Sequence, residues 1–297
     1  MLVLEHDVDR PAGNRIGRWW AARGSTSGTV YLPLVMLDSG HQWTNGPTDY
    51  AAAYRALLRA ALGREAGASV QAWAQRQGNS LRIWTTVTNL GVVPLSPAND
   101  ATVNALVWEE TRVGVTGRYV RAAPALTIAP AIGPGGTASF VLEAELAAAV
   151  RWEAVHAAVA VDVRPAGRSG PYDMLQAAVA APPALTVTPE LVAWQTGARA
   201  EEELRATVSL AGPAVVSWSA AASAPWLSLV PSSGGLPAQV EIVVANAPPQ
   251  PGTHAAEVVF SGSSADGLAL SCRLAVTVHR PLPNRPVRRR IPGPGGG

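Results

Sequence analysis

The chain is 297 residues long, 48% hydrophobic and only 15% charged, with 28 glycines and 25 prolines. That mix suits short strands joined by tight turns rather than helical bundles, and no apolar run approaches the roughly 20 residues of a bilayer-spanning helix. Five of the 23 basic residues lie at or after Arg280, where no acid occurs, leaving 18 bases against 21 acids before it. A nucleic-acid binder carries its positive charge on a folded face, so no nucleic-acid partner is expected here.

Taken in chain order, LVLEHDV (2–8) reads as a strand, and NRIGRWWAA (14–22) as a helix with Ile16, Trp19 and Trp20 on one side. The apolar run 30–37 is a strand with Pro33 near its middle. Proline cannot donate to a ladder and belongs at an edge, a first position or a bulge. A turn at Ser39-Gly40, a brief HQW, a second turn at Asn45-Gly46 and a helix follow. That helix is capped at Thr48 or Asp49, stops at Gly63 and has the stripe Tyr50, Tyr54, Leu57, Leu58 and Ala61.

The order EHDVD, YLPLVMLDSG, NG and then the helix of residues 49–62 resembles the second half of a thioredoxin-like fold. The resemblance implies that Pro33 is a structural cis-proline heading the paired part of its strand. The family's Cys-x-x-Cys has no counterpart, so it implies no thiol–disulfide activity for this chain. It also implies a sequence beginning late in the domain, from a late gene start or a missing front. An exposed sheet edge in residues 1–65 would then invite self-association.

Between residues 67 and 180, seven runs alternate like strands: ASVQAWAQR, SLRIWTTVTNL, ATVNALVWEE, GRYVRAA, TASFVLEAEL, HAAVAVDVR and YDMLQAAVA. Turn residues separate most of them, which suggests an antiparallel sandwich of immunoglobulin-like type. Trp73, Trp84 and Trp108 are expected in its core, and AAAVRWEAV (147–155) as a short helix or turn.

Ala181-Pro182-Pro183 opens the last segment, where eight further strand-like runs extend to Val278. Trp218, Trp226, Leu227, Ser233, Gly234, Val240, Ile242 and Val244 carry a pattern of a tryptophan strand, a Trp-Leu pair, a Ser-Gly turn and an alternating strand. This resembles the BACON family of immunoglobulin-like modules over residues 184–278. The resemblance implies a β-sandwich with Trp218 and Trp226 in its core, acting as a spacer or contacting glycans. Residues 280–297, rich in proline, glycine and arginine, are expected to be disordered.

Candidate chemistry is sparse. Cys272 is the one cysteine, and it alternates with Leu270 and Leu274 on a strand face, so a buried, inert thiol is expected. Glu5, Asp7 and Asp9 share a strand face opposite His6, without a calcium-type loop. The five histidines, His6, His41, His156, His254 and His279, show no ligand spacing. SSGG (232–235), SGSS (261–264) and GPGG (133–136) read as turns, neither nucleophile elbow nor phosphate cradle. Glu109-Glu110 and Glu201-Glu202-Glu203 read as solubilising surface.

The expected architecture is therefore mainly β and multidomain: a partial α/β thioredoxin-like segment (1–65), an immunoglobulin-like β-sandwich (67–180), a BACON-like β-sandwich (184–279) and a tail (280–297). No catalytic residue, metal site or cofactor is expected. Trp43 and Trp194, on short strands near turns, are the candidate glycan-binding residues. The expected role is a non-catalytic interaction or spacer protein of the bacterial surface or exterior, with a polysaccharide or cell-envelope polymer as candidate partner. The alternative is a truncated remnant of a thiol–disulfide oxidoreductase.

Overall fold

Most apolar runs of the sequence become strands in the expected places. The computed structural model describes residues 34–45, 49–112, 117–147, 149–167, 170–196, 203–245, 248, 250–265 and 267–282. Among them the protein is mainly β, with one α-helix. The chain divides into two compact units, Met1–Pro183 and Ala184–Gly297.

In the first unit, β1 (Leu34–Leu37) and β2 (Gln42–Asn45) pair antiparallel across a tight turn over Asp38–Gly40. Next comes α1 (Tyr50–Leu62). Asp49 caps it by accepting from the Ala52 N–H at 2.9 Å, satisfying one orphan amide of the first turn, and Gly63 closes it. The expected stripe is only half-buried at Tyr54, Leu57, Leu58 and Ala61, and Tyr50 is exposed. No residue of the helix is fully buried.

The strands from Ala68 to Val179 form a two-sheet antiparallel sandwich. Its strands are β3 (Ala68–Gln77), β4 (Ser80–Asn89), β5 (Thr102–Glu109), β6 (Tyr119–Ala122), β7 (Ala125–Thr127), β8 (Thr137–Glu145), β9 (Val155–Val163) and β10 (Asp173–Val179). One sheet runs β3-β4-β8; the other runs β10-β9-β5-β6, with β7 also paired to β5. Ile83, Val87, Val103, Ala105, Val107, Leu142, Val159 and Val161 fill the space between them. The short β7 gives no periodic signal, because all three of its residues are exposed.

The tryptophans of this sandwich meet the expectation in part: Trp84 and Trp108 are buried, and Trp73 is not fully so. Ile83 faces the core, so by alternation Trp84 lies on the opposite face of β4, as Trp108 does beside Val107. Both are nonetheless buried, at 1% and 4% exposure, while Trp73, opposite Trp84 in register, is half-buried. Bulk on the outer faces of the sheets reads in sequence like bulk in the core.

The second unit is also a two-sheet sandwich, built from β11 (Thr186–Thr188), β12 (Leu191–Gln195), β13 (Leu204–Ala211), β14 (Ser217–Ala222), β15 (Leu227–Val230), β16 (Ser233–Gly235), β17 (Ala238–Val244), β18 (Gly252–Ser263) and β19 (Ala269–Arg280). The sheets run β11-β13-β17-β15 and β12-β19-β18-β14-β16. β12 joins β19 in parallel, and the other pairs described are antiparallel. Trp218, Leu227, Val240, Ile242, Val244, Phe260, Leu274 and Val276 are buried in this unit, and Trp218 donates its indole N–H to the Gly235 carbonyl at 3.0 Å.

Two serine runs expected as turns are strands. Ser261–Ser263 continues β18, paired on both sides by β14 and β19. A Cβ on Gly262 would come within 2.6 Å of Val216 Cγ1, so glycine here serves close packing in a strand. Ser233–Gly235 pairs with β14, and GPGG remains a turn, with Gly135 at φ +72°.

Candidate functional site

Among the described residues, a cluster of polar side chains lies where the β1–β2 turn meets the five-stranded sheet of the first unit. Asp38, Ser39 and Gly40 take φ of 49°, 62° and 101° in succession. The left-handed region costs a non-glycine residue about 1–2 kcal/mol, so this turn requires compensating contacts. Ser39 supplies one. Its hydroxyl donates to Asp162 Oδ1 at 2.6 Å, and both residues are buried, at 4% and 0% exposure. Asn104 Nδ2 donates to the other Asp162 oxygen at 3.1 Å and to Thr102 Oγ1 at 3.1 Å.

Alternation explains the position of this cluster. Val103, Ala105, Val159 and Val161 face the sandwich core, so Thr102, Asn104 and Asp162 lie on the sheet's outer face, beneath the turn. Asp38 accepts from Arg64 Nη1 at 2.7 Å, and the same guanidinium reaches Asp173 at the start of β10. His41 Nδ1 stands 3.5 Å from Asp173. Burial opposes the charge on Arg64, but its hydrogen bonds to Asp173 and Asp38 outweigh that and raise its pKa above the ordinary value.

A shallow groove of about 210 Å³ opens beside this cluster, lined by Gly67, Asn89, Val93, Leu95, Asp173 and Leu175 among others. The Asn89 amide donates to the carbonyls of Val93 and Ile132 at 2.9 and 3.0 Å and accepts from the Gly91 N–H at 2.9 Å, so its polar groups hold the loop's shape.

Glu109 corrects the sequence reading. It is 2% exposed and anchors three groups: Arg121 donates from Nε and Nη2 at 2.9 and 2.7 Å, and the Arg151 N–H donates at 3.1 Å. The Arg151 Nε lies 3.4 Å away. Burial pushes this carboxyl's pKa up, but the bonds from Arg151 and Arg121 prevail and hold it below the usual value. Glu110 on the opposite face is exposed, as expected, and so is Glu203, which pairs with Arg205 at 2.9 Å.

Cys272 lies on the expected face of β19, opposite Phe260 in the ladder, but it is half-buried rather than enclosed. Burial pushes its thiol up to about 11. Trp226 is likewise half-buried where a core position was expected. The candidate glycan residues lie in different units. Trp43 is on β2, opposite Met36, and Trp194 is on β12, opposite Val278; each is half-buried. Pro33, His6 and the acids Glu5, Asp7 and Asp9 lie outside the described residues, as do Glu201, Glu202 and residues 283–297. Among the described residues no group of three His, Cys, Asp or Glu side chains is arranged to hold a metal ion, and no helix is long and apolar enough to cross a membrane.

The signal for Asp162 and Asn104 was present in the sequence. Each is a short polar residue inside an otherwise apolar strand, HAAVAVDV and ATVNALVW. Ser39 gave no such signal, since its partner is 123 residues away.

Comparison with known proteins identifies one region. The family described as the viral BACON domain matches residues 184–273. A comparison with curated protein sequences returns no match. Among solved structures, a PapD-like domain of human CEP192 aligns at 14% identity and TM-score 0.29, covering 32% of this chain and 84% of its own. A titin immunoglobulin tandem aligns at 11% identity and TM-score 0.22, covering 72% and 98%. Red sea bream transglutaminase aligns at 13% identity and TM-score 0.22, covering 83% and 37%. Scores this low carry no argument about fold or function. Residues 184–273 of this chain thus match the BACON family, within a second unit that folds as a two-sheet sandwich.

Proposed function

We propose that the chain is a non-catalytic extracytoplasmic interaction or spacer protein, contacting glycans through its BACON-like unit. The BACON match over residues 184–273 carries this reading. The motif residues Trp218, Leu227, Val240, Ile242 and Val244 are all buried, which leaves the surface of that unit free to vary with its partner. The family's description as viral favours a virus-encoded chain over the bacterial source expected from the sequence.

The non-catalytic part of the reading is supported by how the polar groups are used. Glu109 is engaged by two arginines, the Asn89 side chain by backbone groups of its own loop region, and Ser39 by Asp162 in a site closed to solvent. Cys272 is held as a neutral thiol, a poor nucleophile. The thioredoxin-like reading of residues 1–65 is supported by the hairpin β1–β2 leading into α1. An in-frame Cys-x-x-Cys upstream of Met1 would favour the oxidoreductase remnant over the interaction protein. Light scattering of the isolated segment tests the proposed self-association.

The glycan proposal is tested on an array of envelope and extracellular polysaccharides. Wild-type protein is expected to be retained by at least one polymer, Trp194→Ala, on the BACON-like unit, to lose that retention, and Trp43→Ala, on the first unit, to keep it. Equal retention of wild type and Trp194→Ala would remove Trp194 from the proposal.

A further inference from the structure

We propose that the β1–β2 hairpin and α1 form a detachable cover on the first unit, pinned to the sandwich by the Ser39–Asp162 hydrogen bond. The inference is independent of the proposed function and rests on how unevenly this segment is buried. Of its described residues, only the turn pair Ser39 and Gly40 is buried; Val35, Met36 and Leu37 of β1 are half-buried and α1 buries nothing fully. The sandwich beneath it has a continuous apolar core. Burial of apolar area is the main force that makes an element inseparable from its neighbours, and the described part of this segment has little of it.

What the segment has instead is polar and localised. Ser39 reaches through a left-handed turn to a fully buried carboxylate, and Arg64 ties Asp38 to Asp173. Bonds to charged groups are strong when formed and depend steeply on geometry. Such a segment opens as a unit once its pin is lost, while the sandwich stays closed.

Hydrogen exchange of the full chain tests this by mass spectrometry. In Ser39→Ala, amides of residues 50–62 are expected to exchange at least about tenfold faster, with β4, β5 and β9 unchanged. Ser39→Gly separates the bond from the strain: it relieves the left-handed φ but lacks the hydroxyl, so it is expected to open the segment as Ser39→Ala does. Arg64→Gln is expected to do so more weakly. Unchanged protection of residues 50–62 in Ser39→Ala would overturn the proposal. So would loss of protection across β4, β5 and β9 together with the helix, or restored protection in Ser39→Gly.

Discussion

The two sandwiches share an architecture and differ in what they bury. Among the described residues, the first unit encloses Ser39, Thr85, Asn89, Thr102, Asn104, Glu109 and Asp162 with its apolar side chains, whereas the second encloses Thr196 as its one buried polar residue. An apolar core is tolerant: residues of about the right size suffice to fold it. A buried carboxylate is not tolerant, since its stability depends on particular partners in particular places. The second unit therefore behaves as a portable module, and the first as a body whose layers are keyed to one another.

Substitutions should affect the two units differently. The largest effect belongs to the second unit. Phe260→Ala removes a fully buried ring packed 5.9 Å from Trp218 and should cost about 3–5 kcal/mol, read as a lowered urea midpoint for that unit. In the first unit, Glu109→Ala should cost about 2 kcal/mol. The penalty stays moderate because Arg121 and Arg151, at 33% and 57% side-chain exposure, can turn to water when their partner is lost. Gly262→Ala should cost about 1–3 kcal/mol, since Val216 must shift to make room. Asp49→Ala should weaken α1 by about 1 kcal/mol, visible as faster amide exchange in its first turn.

The pH dependence should separate the units in opposite directions. Glu109 has its folded pKa lowered, so its contribution is present above the ordinary value of 4.5 and is lost as pH falls. The first unit should soften in acid, and Glu109→Gln should flatten that response. Cys272 has its folded pKa raised from 9.0 to about 11, so its contribution is complete below pH 9 and is lost as pH rises towards 11. Unfolding midpoints of the second unit should fall over that alkaline window in wild type and not in Cys272→Ala.

Strand periodicity made most of this fold legible in the sequence. TASFVLEAEL alternates and became β8, while the nearly continuous apolar runs HAAVAVDVR and AQVEIVVA became β9 and β17. The failures have one physical origin: local pattern does not reveal which face of a sheet is covered. Trp73 was expected in the core and is half-buried. Glu109 was expected on the surface, because the two arginines that engage it lie 12 and 42 residues further along the chain. Ser261–Ser263 was expected to turn, yet pairing on both sides keeps it extended. The polar cluster at Asp162 was half legible, since a lone acid in an apolar strand calls for a partner, but its distant hydroxyl could not be named from the sequence.

The second unit should be a self-sufficient module. Residues 184–282 expressed alone test it by circular dichroism and thermal melting. A β-type spectrum and a single cooperative transition are expected, abolished or sharply lowered by Phe260→Ala. A fragment that is unfolded under native conditions, or that melts without cooperativity, would contradict it.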